Sequence, residues 1–106
     1  MALFRRRQKA GGAVRRATSP ADFEHLEQFV RSRRGVEALI EPRTTVTETT
    51  VILIAHDGEW TRRRIGSPDD AWRFGRRLGI PVYDVALVGY PQRMRDYNAR
   101  RRNAEA

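Results

Sequence analysis

Three stretches of this chain carry residue types that do chemistry. Trp60, Arg62 and Arg64 alternate along Trp60-Thr61-Arg62-Arg63-Arg64. An extended strand there sends an indole and two guanidiniums out from one face, a pairing that stacks on a base and binds its phosphate. The plainer reading is a solvated edge strand whose arginines pair with carboxylates such as Glu48 or Asp84. His56, Asp57 and Glu59 have the types of a metal shell, but a tight turn sends their side chains apart and no further histidine lies nearby. Turn formation accounts for them, and no metal is expected. Asp84 alternates with Val82, Ala86 and Val88, which places a carboxylate on a half-buried face. An acid there usually keeps a cationic partner, and less often acquires a catalytic pKa.

Composition removes other chemistries. The chain of 106 residues has no cysteine, so disulfides, zinc-thiolate sites, iron-sulfur clusters and thiol nucleophiles are excluded. Neither a phosphate-binding glycine loop nor a Gly-x-Ser-x-Gly elbow occurs. No catalytic residue and no cofactor is expected. The apolar runs at 51–55 and 85–88 fall far short of the roughly 20 residues that cross a bilayer. Met1 to Phe4 precede the charges of Arg5, Arg6 and Arg7, unlike a signal peptide, so a cytoplasmic protein with no membrane partner is expected.

The formal charge of +8 is unevenly spread. Residues 1–16 carry Arg5, Arg6, Arg7, Lys9, Arg15 and Arg16 with no acid, and residues 97–106 carry Arg100, Arg101 and Arg102 against Glu105. The stretch between is neutral, with twelve arginines against twelve carboxylates. A basic fold surface therefore does not follow from net charge; only the flanks are basic. All the cations but Lys9 are arginines, a usage that GC-rich coding produces as readily as phosphate recognition does.

These side chains have to be positioned by a small number of elements. Gly11-Gly12 and the lack of an apolar period make residues 1–18 a disordered basic arm. Ser19-Pro20-Ala21-Asp22 is a helix start, with a capping serine, proline in the first turn and an acid three residues after the cap. Phe23, Leu26, Phe29 and Val30 continue it at helical spacing, with His25 off that stripe and facing solvent, and Gly35 stops it. Ser67-Pro68-Asp69-Asp70 repeats the signal for a second helix, stopped at Gly79. Strands are expected at 36–41, 46–55, 60–65 and 82–88, with the unbroken run 51–55 central in the sheet and 60–65 at an edge. Asp57-Gly58 predicts a two-residue hairpin turn that sets Leu53 opposite Arg62 and Val51 opposite Arg64. Tyr90, Met94 and Tyr97, at i, i+4 and i+7, predict a short third helix trailing into Arg100.

The expected fold is α+β in the order α-β-β-β-α-β-α, a mixed sheet of about four strands packed with two main helices. It forms one domain over 19–98, with a basic tail over 99–106. The third and fourth strands, if parallel neighbours, are joined by a right-handed crossover through the second helix. The first five elements share their order with the double-stranded RNA-binding domain, but Asp69 and Asp70 stand where that domain begins a helix with bases. The first six share the order of the PD-(D/E)xK nuclease core, but Trp60-Thr61-Arg62-Arg63-Arg64 lacks the Glu-x-Lys of its third strand.

The segments 36–50, 55–64, 79–85 and 88–97 resemble those of a family of small uncharacterised actinobacterial proteins, over about residues 19–102. The oxidoreductase label attached to some members would imply redox chemistry here. No dinucleotide loop, thiol pair or metal shell in the sequence accompanies it.

The functional expectation is a non-catalytic module that contacts RNA, DNA or the ribosome. Its phosphate contacts would be Arg5, Arg6, Arg7, Lys9, Arg15, Arg16, Arg62, Arg64, Arg100, Arg101 and Arg102, with Trp60 beside them. The alternative is a protein-interaction or regulatory domain that docks a partner on Tyr90, Met94 and Tyr97 and on the edge strand.

Overall fold

Two serine caps set where the helices begin. In the computed structural model, which describes residues 17–105, the Ser19 hydroxyl accepts from the Asp22 amide and the Ser67 hydroxyl from the Asp70 amide, each at 3.1 Å. Each cap is followed by proline in the first turn, where the missing N–H costs nothing. From these starts run α1 (Pro20–Ser32) and α2 (Pro68–Leu78). Gly79, at φ 72°, closes α2 by donating its N–H to the Gly75 carbonyl. The arm residues Arg5, Arg6, Arg7, Lys9, Arg15 and Arg16 lie outside the described residues.

Four strands form one mixed sheet: β1 (Glu37–Glu41), β2 (Thr50–Ile54), β3 (Trp60–Arg64) and β4 (Val82–Asp84). Their spatial order is β3-β2-β1-β4, with β1 antiparallel to β2, β2 antiparallel to β3, and β4 parallel to β1. The α+β class is as the sequence predicts, β2 is interior and β3 is an edge. Since β4 lies beside β1, the segment through α2 does not join neighbouring strands but carries the chain from one edge of the sheet to the other.

Both faces of the sheet are covered. Ala38, Ile40, Val51, Leu53 and Val82 point to one face, where Leu26 and Phe29 of α1 and Ala71 and Phe74 of α2 bury them. Phe23 stacks on Phe74 with ring centres 6.4 Å apart, and a Cβ on Gly75 would collide with the Val82 side chain, so α2 lies unusually close to the sheet. On the other face Leu39, Ile52 and Ile54 are covered by Met94, with Trp60 and Val85 at the margin. Met94 belongs to α4 (Gln92–Glu105), so three long helices cover the sheet rather than two. No helix among the described residues is long and apolar enough to cross a membrane.

Three local outcomes differ from the sequence reading. The hairpin loop holds three residues, not two: Gly58 at φ 95° donates to the Ala55 carbonyl, and Ala55 donates to the Glu59 carbonyl at 2.8 Å. This is the turn-plus-bulge form that also suits Asp-Gly. The pairing slips by one residue, so Arg62 faces Ile52 and Arg63 faces Val51. One step of register moves Trp60, Arg62 and Arg64 to the face that carries α4. The strand expected over 46–55 begins only at Thr50, because the Thr44 hydroxyl accepts from the Val46 and Thr47 amides and holds a turn there.

The strand expected over 82–88 ends at Asp84. The Asp84 carboxylate accepts from the Ala86 amide at 2.8 Å and starts the one-turn α3 (Val85–Val88), which Gly89 closes. Asp84 is thus a helix cap rather than a buried ion pair. The segment expected as a tail from residue 99 continues α4 to Glu105. Ala and Arg are good helix formers, and Arg101 pairs with Glu105 one turn on.

Candidate nucleic-acid interface

The β3 arginines share a sheet with carboxylates that the register brings within reach. Glu41 is the centre of the largest group. Its Oε1 accepts from Arg62 Nε at 2.8 Å and from the Thr50 hydroxyl at 2.6 Å, while its Oε2 accepts from Arg62 Nη2 at 3.0 Å and from the Tyr90 hydroxyl. Burial pushes the Glu41 carboxyl upward, but the hydrogen bonds from Arg62, Thr50 and Tyr90 outweigh it and hold the group below the usual carboxylate value. The same bond to Glu41, then burial, raises the Tyr90 hydroxyl.

The rest of the strand is engaged in the same way. The Arg62 guanidinium also lies 5.3 Å from the centre of the Trp60 ring. Trp60 is half-buried and donates its Nε1 hydrogen to the Asn98 side chain at 2.8 Å. Arg63 lies 3.8 Å from Asp22, and Arg64 lies 3.7 Å from Glu48. Trp60, Arg62 and Arg64 do project from one face, but the indole is packed under α4 and both cations face carboxylates. A stacking platform would need the ring open and the charges unmatched.

His25, expected in solvent, is half-buried against β3, with Nε2 2.7 Å from the Thr61 hydroxyl and Nδ1 3.4 Å from Arg63. Burial, then the Arg63 charge, lowers its pKa. Beside it runs an open groove of about 310 Å³ lined by Gln28, Phe29, Arg33, Glu59, Trp60 and Thr61. Arg33 and Glu59 close that groove with a two-pronged pair at 2.6 and 3.2 Å. The turn residues go separate ways: the Asp57 carboxylate accepts from the Glu59 amide, while Glu59 itself pairs with Arg33.

Of Tyr90, Met94 and Tyr97, expected as a docking stripe, Tyr90 is exposed and the other two are not. Met94 is 6% exposed and packs on Leu39, Ile52 and Ile54. Tyr97 is half-buried, with its Cβ close to Gly58, and the Arg100 and Arg101 guanidiniums lie 5.8 and 5.9 Å from its ring centre. Helical spacing of apolar residues marked the side of α4 that faces the core. Other apolar side chains that reach solvent include Trp72 on α2 and Tyr83, Leu87 and Val88, the last three within the stretch expected as a strand over 82–88.

The outer side of α4 is different in character. Arg95 donates to the Gln92 side chain and the Tyr90 carbonyl, Arg100 donates to the Asp57 carbonyl, and all of these acceptors are uncharged. Among the described residues, Arg95 and Arg102 are in no ion pair, whereas the Asp57 carboxyl, held low chiefly by the Glu59 amide, also feels the Arg100 charge. Arg95 and Arg102, seven residues apart, share one flank of the helix, about a quarter turn round from Met94. Arg95 was absent from the expected set because its neighbour Asp96 cancels it in a count along the sequence. In space Asp96 turns to Gln92, with 2.9 Å between them.

A second basic surface was also missed. Arg73, Arg76 and Arg77 of α2 line an open groove of about 470 Å³ with Phe23, Phe74 and Asp70. The spacing of Arg73 and Arg77, one turn apart, was the available signal. Of the three, Arg73 is paired with Asp70.

No family model matches the chain, and neither a curated protein nor a solved structure is significantly similar to it.

Proposed function

We propose that this protein is a non-catalytic module that binds nucleic acid, RNA or DNA, free or within the ribosome, by phosphate contacts from residues 1–16 and the outer side of α4. The observation behind this reading is where cation is left uncompensated. On β3 the arginines are matched by Glu41, Asp22 and Glu48, whereas Arg95 and Arg102 are exposed without carboxylate partners among the described residues. The six cations of residues 1–16 have no acid near them in sequence. Phosphate contacts of this kind release counterions and carry no sequence information.

The reading is tested by fluorescence anisotropy of a labelled single-stranded RNA, with the duplex DNA equivalent alongside. The full chain is expected to bind at low salt. Deletion of residues 1–16 and the paired change Arg95→Glu with Arg102→Glu each weaken binding. Arg31→Gln, which removes a cation paired with Glu27 on α1, leaves it nearly unchanged. Equal losses from all three variants, or none from any, contradict the proposal.

A further inference from the structure

The chain's two tryptophans stand in opposite situations. Trp60 is packed under α4 and hydrogen-bonded to Asn98. Trp72 on α2 is 42% exposed, and among the described residues it is in no hydrogen bond or ring contact. Ala71, Phe74 and Gly75 hold the opposite side of that helix against the sheet, so the indole stands on the outward side.

Arginines continue that side. Arg76 lies one turn after Trp72, and Arg73 and Arg77, themselves one turn apart, lie beside them. All three are exposed, and they border the open groove that has Phe23 and Phe74 in its lining. Acids stand nearby as well. Asp70 is engaged by Arg73, Glu27 is bonded to Arg31 and also feels the Arg77 charge, and Asp69 lies one turn before Arg73. Arg76 is in no ion pair among the described residues. The positive surplus of α2 therefore lies in its last turn, next to the indole.

The most basic stretch of the chain joins the fold at this helix. The Thr18 hydroxyl accepts from the Gly66 amide at 2.7 Å, and the next residue, Ser67, caps α2. The chain that carries six cations and no acid over residues 1–16 therefore enters the fold beside the start of α2. Since α4 covers the other face of the sheet, a ligand on α2 makes a contact separate from that helix.

The combination decides what the surface takes. An open indole beside guanidiniums fits an unstacked base with its phosphates. An acidic peptide would satisfy the cations and leave the ring without a flat partner. A duplex keeps the faces of its bases inside its own stack. A bilayer surface takes a stripe of apolar groups, and the outward side of α2 offers one. We infer that α2 is a single-strand contact, in which a base stacks on Trp72 and the neighbouring phosphates lie on Arg76 and Arg77. The inference rests on the reading that residues 1–16 bind nucleic acid, and it adds the substrate class: unpaired strand, RNA or DNA, in preference to duplex.

The test is fluorescence anisotropy of the full chain at low salt with labelled oligo(U), oligo(dT) and a duplex of the same length. Trp72→Ala is expected to weaken binding of both single strands about 5- to 100-fold, the loss of one stacked base. Its affinity for the duplex and its salt slope stay near those of the parent, because no charge is removed. Trp72→Phe, which keeps an aromatic face, recovers most of the loss. Arg76→Gln lowers the single-strand salt slope by about 0.7. Oligo(U) quenches the tryptophan emission of the parent, and Trp72→Phe abolishes the quenching because Trp60 stays packed. The circular dichroism of all three variants is that of the parent.

A parent that binds while Trp72→Ala binds single strands equally well overturns this inference alone. So does an equal loss on duplex and single strand. Polyglutamate that competes as well as oligo(U) assigns the surface to an acidic protein and overturns it too. A parent that binds no nucleic acid overturns the underlying reading, and this inference with it.

Discussion

Arg62 on β3 reaches over β2 to Glu41 on β1 and closes two parallel hydrogen bonds on it, at 2.8 and 3.0 Å. The residue with the best credentials for binding phosphate therefore already binds a carboxylate of its own sheet. Two further donors, Thr50 and Tyr90, complete the shell of that carboxylate. Through Tyr90 the cluster ties the turn between α3 and α4 to the sheet.

Removing the charge at the centre of this group leaves Arg62 without its counterion and two donors with a weaker acceptor. Glu41→Gln is expected to destabilise the fold by about 1–3 kcal/mol. Tyr90→Phe, which removes one neutral donor, should cost about 0.5–1.5 kcal/mol. Urea unfolding of the two variants checks the order; equal stability of parent and Glu41→Gln would remove the cluster from the account.

The same group sets a pH response. Glu41 has a folded pKa below its ordinary value of 4.5, so the unfolded chain takes up the proton first as pH falls. Its stabilisation is complete above about 4.5 and disappears as pH drops through the lower folded value. His25 is also depressed from its ordinary 6.5, so a separate loss of stability begins below that pH as the unfolded histidine charges. Urea midpoints against pH should show the two windows. Glu41→Gln flattens only the acidic one and His25→Gln only the one beneath 6.5.

Met94 separates a core residue from a docking residue. Packed on Leu39, Ile52 and Ile54, it should cost about 2–5 kcal/mol when truncated to alanine. A surface methionine would cost within about 0.5 kcal/mol. Thermal or denaturant unfolding of Met94→Ala decides between them.

What the sequence made legible is what neighbours in the chain decide. Ser19-Pro20 and Ser67-Pro68 were readable as helix starts because the cap, the proline and the acid lie within four residues and need nothing else. The apolar run through Val51 and Ile54 placed β2 inside the sheet because it has no polar face to show to water.

Register was not legible. Asp57-Gly58 supports both a two-residue and a three-residue loop, and the choice falls to contacts far along the chain. A Cβ at Gly58 would meet the Arg93 carbonyl and Tyr97 of α4. That single step placed Arg62 beside Glu41, so the engagement of the phosphate candidates could not be foreseen from spacing. Residues 82–88 alternate like a strand, yet Asp84 is an equally good cap, and the cap prevailed. Tyr90, Met94 and Tyr97 fit one helical face whether it meets core or partner, because periodicity identifies a stripe and not what covers it.

The central claim is that the surplus cation makes the contacts to nucleic acid, and the salt dependence of binding tests it most directly. The affinity of the full chain for single-stranded RNA should fall linearly with salt on logarithmic axes. Removing the six cations of residues 1–16 should reduce that slope by up to about 4, at roughly 0.7 per phosphate contact. A full chain that shows no binding at low salt, or a slope that residues 1–16 do not change, contradicts the account.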